Sequence, residues 1–149
     1  MTGPFFSAHA IMKKIYFSCS ITGGRVDEAI YTAIVDDLQA RGHEVVNSHL
    51  ARQGVVMLEQ RMDPREVYQR DVFWIKDCDV VVAEVSTPSH GVGYEIALAL
   101  TLRKPVLCLY RQSARVSKMI TGNDEPTITV VTYADQSGAL ELVRRFVSA

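Results

Sequence analysis

A single doubly wound α/β domain, flavodoxin-like or Rossmann-like, with five parallel strands and helices on both faces, is predicted by three features of this 149-residue chain. Short β-branched runs alternate with helix-periodic segments, an order that calls for parallel strands joined by right-handed crossovers. The run Asp79 to Val85 is apolar at almost every position, as a central strand buried on both faces must be. Polar or glycine-bearing turns follow the strands, at the carboxyl edge of the sheet where such folds bind ligands near the reversal of strand order. For five strands the simplest order is 2-1-3-4-5.

The first strand is read in Lys13 to Ser18, ending in the turn Ser18-Cys19-Ser20-Ile21-Thr22-Gly23-Gly24. Apolar residues at Val26, Ile30, Ile34 and Leu38 then mark a helix to Arg41, with Gly42 as its stop. Glu44 to Asn47 reads as a second strand, and the polar stretch through Met62 has no clear pattern. Asp63-Pro64 is an N-cap with proline at the first helical position, opening a helix to about Cys78. After the central strand, Gly91-Val92-Gly93 leads into a helix over Tyr94 to Arg103. Pro105 to Tyr110 and Thr127 to Val131 are the remaining strands, and Asp135 to Val147 is the closing helix.

Composition narrows the function. With 48% hydrophobic and 22% charged residues the chain suits one domain, and a net charge of -1 gives no reason to expect a nucleic-acid surface, so a small ligand is the expected partner. No apolar stretch approaches the ~20 residues that span a bilayer, so no membrane association is expected. Cys19, Cys78 and Cys108 show no metal-ligand spacing, and Cys19 and Cys108 fall in buried-strand patterns. A reducing compartment follows as the expectation, cytoplasmic or, in a eukaryotic cell, nuclear. Residues 1–11 read as a disordered extension or cloning remnant, leaving 12–149 as the domain. No metal or cofactor is expected: the histidines lack ligand spacing, and the first turn is neither GxxxxGK[ST] nor GxGxxG.

The hydroxyls Ser20, Thr22 and Ser89, with their neighbouring glycines, could hold one phosphate through helix N-termini, or could be ordinary turn and cap residues. Glu95 is expected in the first turn of its helix, where the dipole would keep it ionised as a nucleophile requires; the plain alternative is an acidic helix-start residue. Asp71 lies on the stripe Val67, Asp71, Trp74, Ile75 that should face the core. A desolvated carboxyl there has a raised pKa suited to a general acid, unless it only bonds a loop backbone. Tyr16 could reach the mouth of the sheet or belong to the core.

Five segments, in order, carry a resemblance: Ile-Tyr-Phe-Ser-Cys-Ser-Ile-Thr-Gly-Gly-Arg at 15 to 25, Arg70-Asp71-Val-Phe-Trp-Ile, Asp79-Val-Val-Val-Ala-Glu-Val, Pro88-Ser-His-Gly-Val-Gly-Tyr-Glu95, and Lys104-Pro-Val-Leu-Cys-Leu. Together they resemble the Rcl-type 2′-deoxynucleoside 5′-phosphate N-hydrolases, relatives of the nucleoside 2-deoxyribosyltransferases, from about Lys13 to the last helix. The resemblance implies hydrolysis of the N-glycosidic bond of a 2′-deoxynucleoside 5′-monophosphate, with Glu95 as nucleophile, Asp71 as the acid at the departing base and Tyr16 supporting the nucleophile. It implies a phosphate and substrate site of Ser20, Ile21, Thr22, Gly23, Arg25, Ser89, Gly91, Gly93 and Met119, with Ser117 supplied by the neighbouring subunit of a homodimer. Thr22 departs from the family pattern, which often has a basic residue there. Two rivals remain: a deoxyribosyltransferase exchanging bases, and a non-catalytic nucleotide-binding or receiver-like module on the same fold.

Overall fold

The structure, a computed structural model, describes residues 11–149; the terminal extension expected over 1–11 therefore lies almost wholly outside the described residues. Five parallel strands form one sheet in the order β2-β1-β3-β4-β5, where β1 is Lys14–Ser18, β2 Glu44–Val45, β3 Val80–Glu84, β4 Val106–Arg111 and β5 Ile128–Tyr133. All five residues of β3 are buried, which explains its unbroken apolar run. Successive side chains alternate between faces. On one face Ile15, Phe17, Val80, Val82, Leu107 and Leu109 pack under α1 (Glu28–Ala40) and α6 (Gln136–Ser148). On the other, Tyr16, Val81, Ala83 and Cys108 pack with Ile75 of α3 (Pro64–Asp77) and with Val92, Ile96 and Ala99 of α4 (His90–Thr101). Fully burying one such aliphatic side chain contributes about 1.5–3 kcal/mol.

Several boundaries differ from expectation. Val26 is 80% exposed and precedes the helix, so the buried stripe of α1 is Tyr31, Ile34, Val35 and Leu38. The segment without a clear pattern folds into a 3-10 turn, Ser48–Ala51, and a short helix, α2, Val55–Arg61. Strand β2 stops after two residues, but Asn47 continues its role: its Oδ1 accepts from the Phe17 N–H at 2.9 Å and its Nδ2 donates to the Phe17 carbonyl at 2.7 Å. One side chain thus satisfies both backbone groups of a β1 residue that a longer strand would have paired. A four-residue helix, α5, Lys118–Thr121, was not anticipated.

The largest correction concerns α4. Ser89 is its N-cap, with Oγ accepting from the Val92 N–H at 3.3 Å, so the helix starts at His90 and takes in Gly91 and Gly93. Glu95 accordingly sits in the second turn, beyond the first-turn donors and the strongest part of the dipole that were expected to keep it ionised. It lies on the inward stripe with Val92, Ile96 and Ala99.

Beneath the carboxyl edge, a buried polar network joins three loops. Glu84, at the end of β3, accepts from the Tyr133 hydroxyl at 3.2 Å and from the Ser86 N–H and hydroxyl; burial pushes its pKa up to about 7. Arg111 donates from its backbone to Ser86 Oγ at 2.9 Å and from Nε to Asp27 at 2.7 Å, and Thr87 bonds the same Asp27. The Arg111 cation is therefore tied to the turn before α1.

Candidate active site

Alternation along β1 directs Tyr16 and Ser18 to the α3/α4 face, and Glu95 meets them from α4. Ser18 Oγ donates to Glu95 Oε2 at 2.6 Å. The Tyr16 hydroxyl is buried and closes no hydrogen bond, yet burial and the nearby charges of Glu95 and Asp71 raise its pKa well above the usual phenol value. Tyr16 is thus both a core residue and a neighbour of both carboxyls.

Burial pushes the Glu95 carboxyl up to about 7; the Ser18 hydrogen bond opposes that shift and the charge of Asp71 adds to it. Asp71 is half-buried on the inward side of α3, and desolvation raises its pKa against the pull of Arg70. Arg70 donates from Nε to Asp71 Oδ1 at 2.9 Å and from a terminal nitrogen to Glu59 at 2.8 Å, while its guanidinium lies 5.0 Å over the Trp74 ring. His49, in the 3-10 turn after β2, packs edge-on to Trp74 at 5.5 Å, and burial and Arg70 hold its pKa below the usual imidazole value. The three groups Glu95, Asp71 and Tyr16 are therefore brought into one electrostatically coupled set.

A cavity of about 1000 Å³ opens beside this set along α4. Thr22, Gly23, Ser89, Gly93, Ser117 and Met119 are among the residues that line it. Its walls do not include Glu95, Asp71 or Tyr16. Gly91 marks the junction: a Cβ there would point between Ser89 Oγ at 3.8 Å and Glu95 Oε1 at 3.9 Å. At Gly23 a Cβ would run into the Pro88 carbonyl, so only glycine lets the loops after β1 and β3 meet.

Not every expected phosphate residue reaches the cavity. Ser20 is fully buried with no partner for its hydroxyl, close behind Gly23. Ile21 is half-buried and does not line the cavity. Arg25 points elsewhere: it donates to the carbonyls of Ser20, Leu50 and Arg52, pairs with Glu28 at 3.1 Å and lies 5.2 Å over the Tyr31 ring. Those partners occupy the guanidinium, so its observed part is to brace the first loop. Ser117 caps α5 through the Met119 N–H at 3.2 Å and is exposed, as is Met119. Among the described residues no group of three or more His, Cys, Asp or Glu side chains could hold a metal ion, and no helix is long and apolar enough to cross a membrane.

Sequence reasoning missed Ser18, Arg70 and Glu59 as site residues. The signal for Ser18 was available: a polar residue two positions after Tyr16, on the same face at the strand's carboxyl end. Glu59 gave none, because its helix was not recognised.

This α/β fold, with paired carboxyls beside a hydroxyl-lined cavity, matches a family model: the chain belongs to the nucleoside 2-deoxyribosyltransferase family, over residues 15–136. Within it, the chain is 40% identical to the mouse (Mus musculus) 5-hydroxymethyl-dUMP N-hydrolase over 152 aligned positions, covering 94% of this chain and 83% of that protein. It is likewise 40% identical, over 91% of its length and 86% of the relative's, to a Methanosarcina barkeri protein named as a 2′-deoxynucleoside 5′-phosphate N-hydrolase. Among solved structures, a Clostridium botulinum CMP N-glycosidase, BcmB, superposes with a TM-score of 0.68 at 20% identity, covering 89% of this chain and 99% of that one. The solution structure of BlsM gives 0.71 at 20% identity over 93% of each. At that identity the likeness of the two structures is one of fold.

Proposed function

We propose that this protein hydrolyses the N-glycosidic bond of 2′-deoxynucleoside 5′-monophosphates, releasing the free base and 2-deoxyribose 5-phosphate. The observation that carries the reading is the presence of two desolvated carboxyls, Glu95 and Asp71, with the charge of Asp71 acting on Glu95, beside a cavity with hydroxyls and glycines at a helix start. Two carboxyls of differing environment are what retaining glycoside cleavage requires. In the proposed course, a Glu95 oxygen attacks C1′ as the bond to the base nitrogen breaks, and Asp71 gives its proton to the departing base. Water then attacks C1′ of the glycosyl-enzyme, freeing Glu95 and returning a proton to Asp71. Lack of a 2′-hydroxyl favours this chemistry, because that electron-withdrawing group destabilises an oxocarbenium-like transition state. Ser89, Thr22, Gly23 and Gly93 would hold the 5′-phosphate at the start of α4.

The functional unit is a homodimer in this reading, with the neighbour's Ser117 completing the phosphate site. Support comes from α5, where Met119 lines the cavity and is 82% exposed. The three free, buried cysteines suit a reducing, cytoplasmic compartment.

The test is a panel of deoxy- and ribonucleoside monophosphates, with and without added free base, followed by base release. Cleavage of deoxynucleoside monophosphates, slow turnover of unphosphorylated deoxynucleosides, and a loss of roughly 10³-fold or more in Glu95→Gln are expected. A deoxyribose-phosphate adduct should appear on the Glu95 peptide of quenched enzyme. Base exchange outpacing hydrolysis would make the protein a transferase, and no turnover of any nucleotide would leave a binding module. Wild-type rates in Glu95→Gln would remove Glu95 as nucleophile.

A further inference from the structure

Ser18 closes β1 at the reversal of strand order and is 1% exposed. It stands in register with Ala83 of β3, the smallest side chain of that strand. A small neighbour leaves room above the sheet, and Glu95 reaches into it from α4. A hydroxyl buried among apolar groups must find a partner, and this one takes Glu95 Oε2 at 2.6 Å, the short distance of a charge-assisted bond. The other oxygen, Oε1, lies 3.9 Å from where a Cβ on Gly91 would stand, next to the helix start.

We propose that Ser18 is a positioning residue for the nucleophile: its hydroxyl fixes Glu95 Oε2 and leaves Oε1 as the oxygen free to attack C1′. Alternation along β1 allows this only at residue 18, because Phe17 and Cys19 face the other core. Tyr16, two residues earlier on the same face, also favours the Glu95 anion, but its hydroxyl closes no hydrogen bond of ordinary geometry, whereas Ser18 bonds the carboxylate at 2.6 Å. Burial works against ionisation of Glu95, and the Ser18 donor is the largest influence opposing it. A free carboxylate would be both harder to ionise and free to rotate about its last bond, losing the aligned approach that displacement needs.

The inference rests on Glu95 acting as nucleophile, so its test includes a measurement that needs no turnover. In Ser18→Ala, the NMR titration of the 13C-labelled Glu95 carboxyl should move upward by roughly one pH unit or more, the size expected for losing a hydrogen bond to a charged group. The acid limb of kcat/KM should move with it, because a nucleophile that must be ionised fails at higher pH when its pKa rises. At pH values above that limb, kcat should remain roughly 3- to 30-fold down with KM little changed, reflecting lost alignment. Ser18→Thr, which keeps the donor, should return both titration and acid limb toward wild type. An unchanged Glu95 titration in folded Ser18→Ala would overturn the proposal, as would a folded Ser18→Thr that titrates like the alanine variant. A shifted titration together with full activity in Glu95→Gln would instead locate the fault in the nucleophile assignment.

Discussion

Asp71 feels two opposed influences. Burial on the inner side of α3 favours its neutral form, while Arg70, the next residue, pulls it toward the anion; burial is the larger. That balance leaves Asp71 more readily protonated than a surface aspartate, the condition for delivering a proton to a leaving base. Glu59 takes part of the Arg70 charge, so the acid is held by a chain of three side chains. Asp71→Asn keeps the size and one acceptor but has no acidic proton. Base release should slow by about 10²- to 10⁴-fold, with circular dichroism and Tm near wild type. Wild-type turnover would return Asp71 to a purely structural part. The sequence already showed this carboxyl on an apolar stripe, because the 3.6-residue period makes a lone acid conspicuous. It could not show Arg70 clamping it, since an arginine beside an aspartate on an exposed helix face is unremarkable until the turn carrying Glu59 folds over it.

Helix ends were the hardest features to read. Asp63-Pro64 was legible, as the cap side chain accepts from the Arg65 N–H at 2.8 Å and proline needs no partner there. For α4, the glycines at 91 and 93 suggested a turn, and the cap at Ser89 overrode them because tertiary packing of Val92 and Ile96 outweighs the cost of glycine in a helix. The other end of the same helix holds an unusual residue. Arg103 has φ 57, with its N–H donating to the Leu100 carbonyl and the Lys104 N–H to Ala99, the bonding of a Schellman stop with arginine where glycine normally stands. A left-handed non-glycine residue costs about 1–2 kcal/mol. Arg103→Gly should relieve that, partly offset by the greater freedom of glycine in the unfolded chain, and raise stability by about 0.5–1 kcal/mol. Calorimetry should then find Tm up by roughly 2–4 °C; a lower Tm would mean that the arginine side chain stabilises the helix end by more than its backbone strain costs.

Topology was readable because alternating β-branched and helical segments admit few arrangements, and a strand as uniformly apolar as β3 must lie inside the sheet. Association was not readable from pattern alone, since it depends on a surface: the exposed residues Ser117 and Met119 that line the cavity at the start of α5. Complementation between two damaged chains tests the proposed shared site. A chain carrying Glu95→Gln and another carrying Ser117→Arg should each be weak alone. Mixed dimers restore one site that combines an intact Glu95 with an intact Ser117 from the neighbour, so activity should return on mixing. If mixing yields no gain, Ser117 serves its own chain and the shared site is wrong.

The meeting of Gly23 with the Pro88 carbonyl has a consequence for how such a site can be altered. Two segments from separate strands touch there through backbone alone, so neither can change length or bulk independently. A graft that transplants the first loop from a relative with different base or phosphate preference should misfit unless the segment after β3 travels with it. Redesign of substrate choice in this protein has to treat the pair of loops as a single exchangeable module.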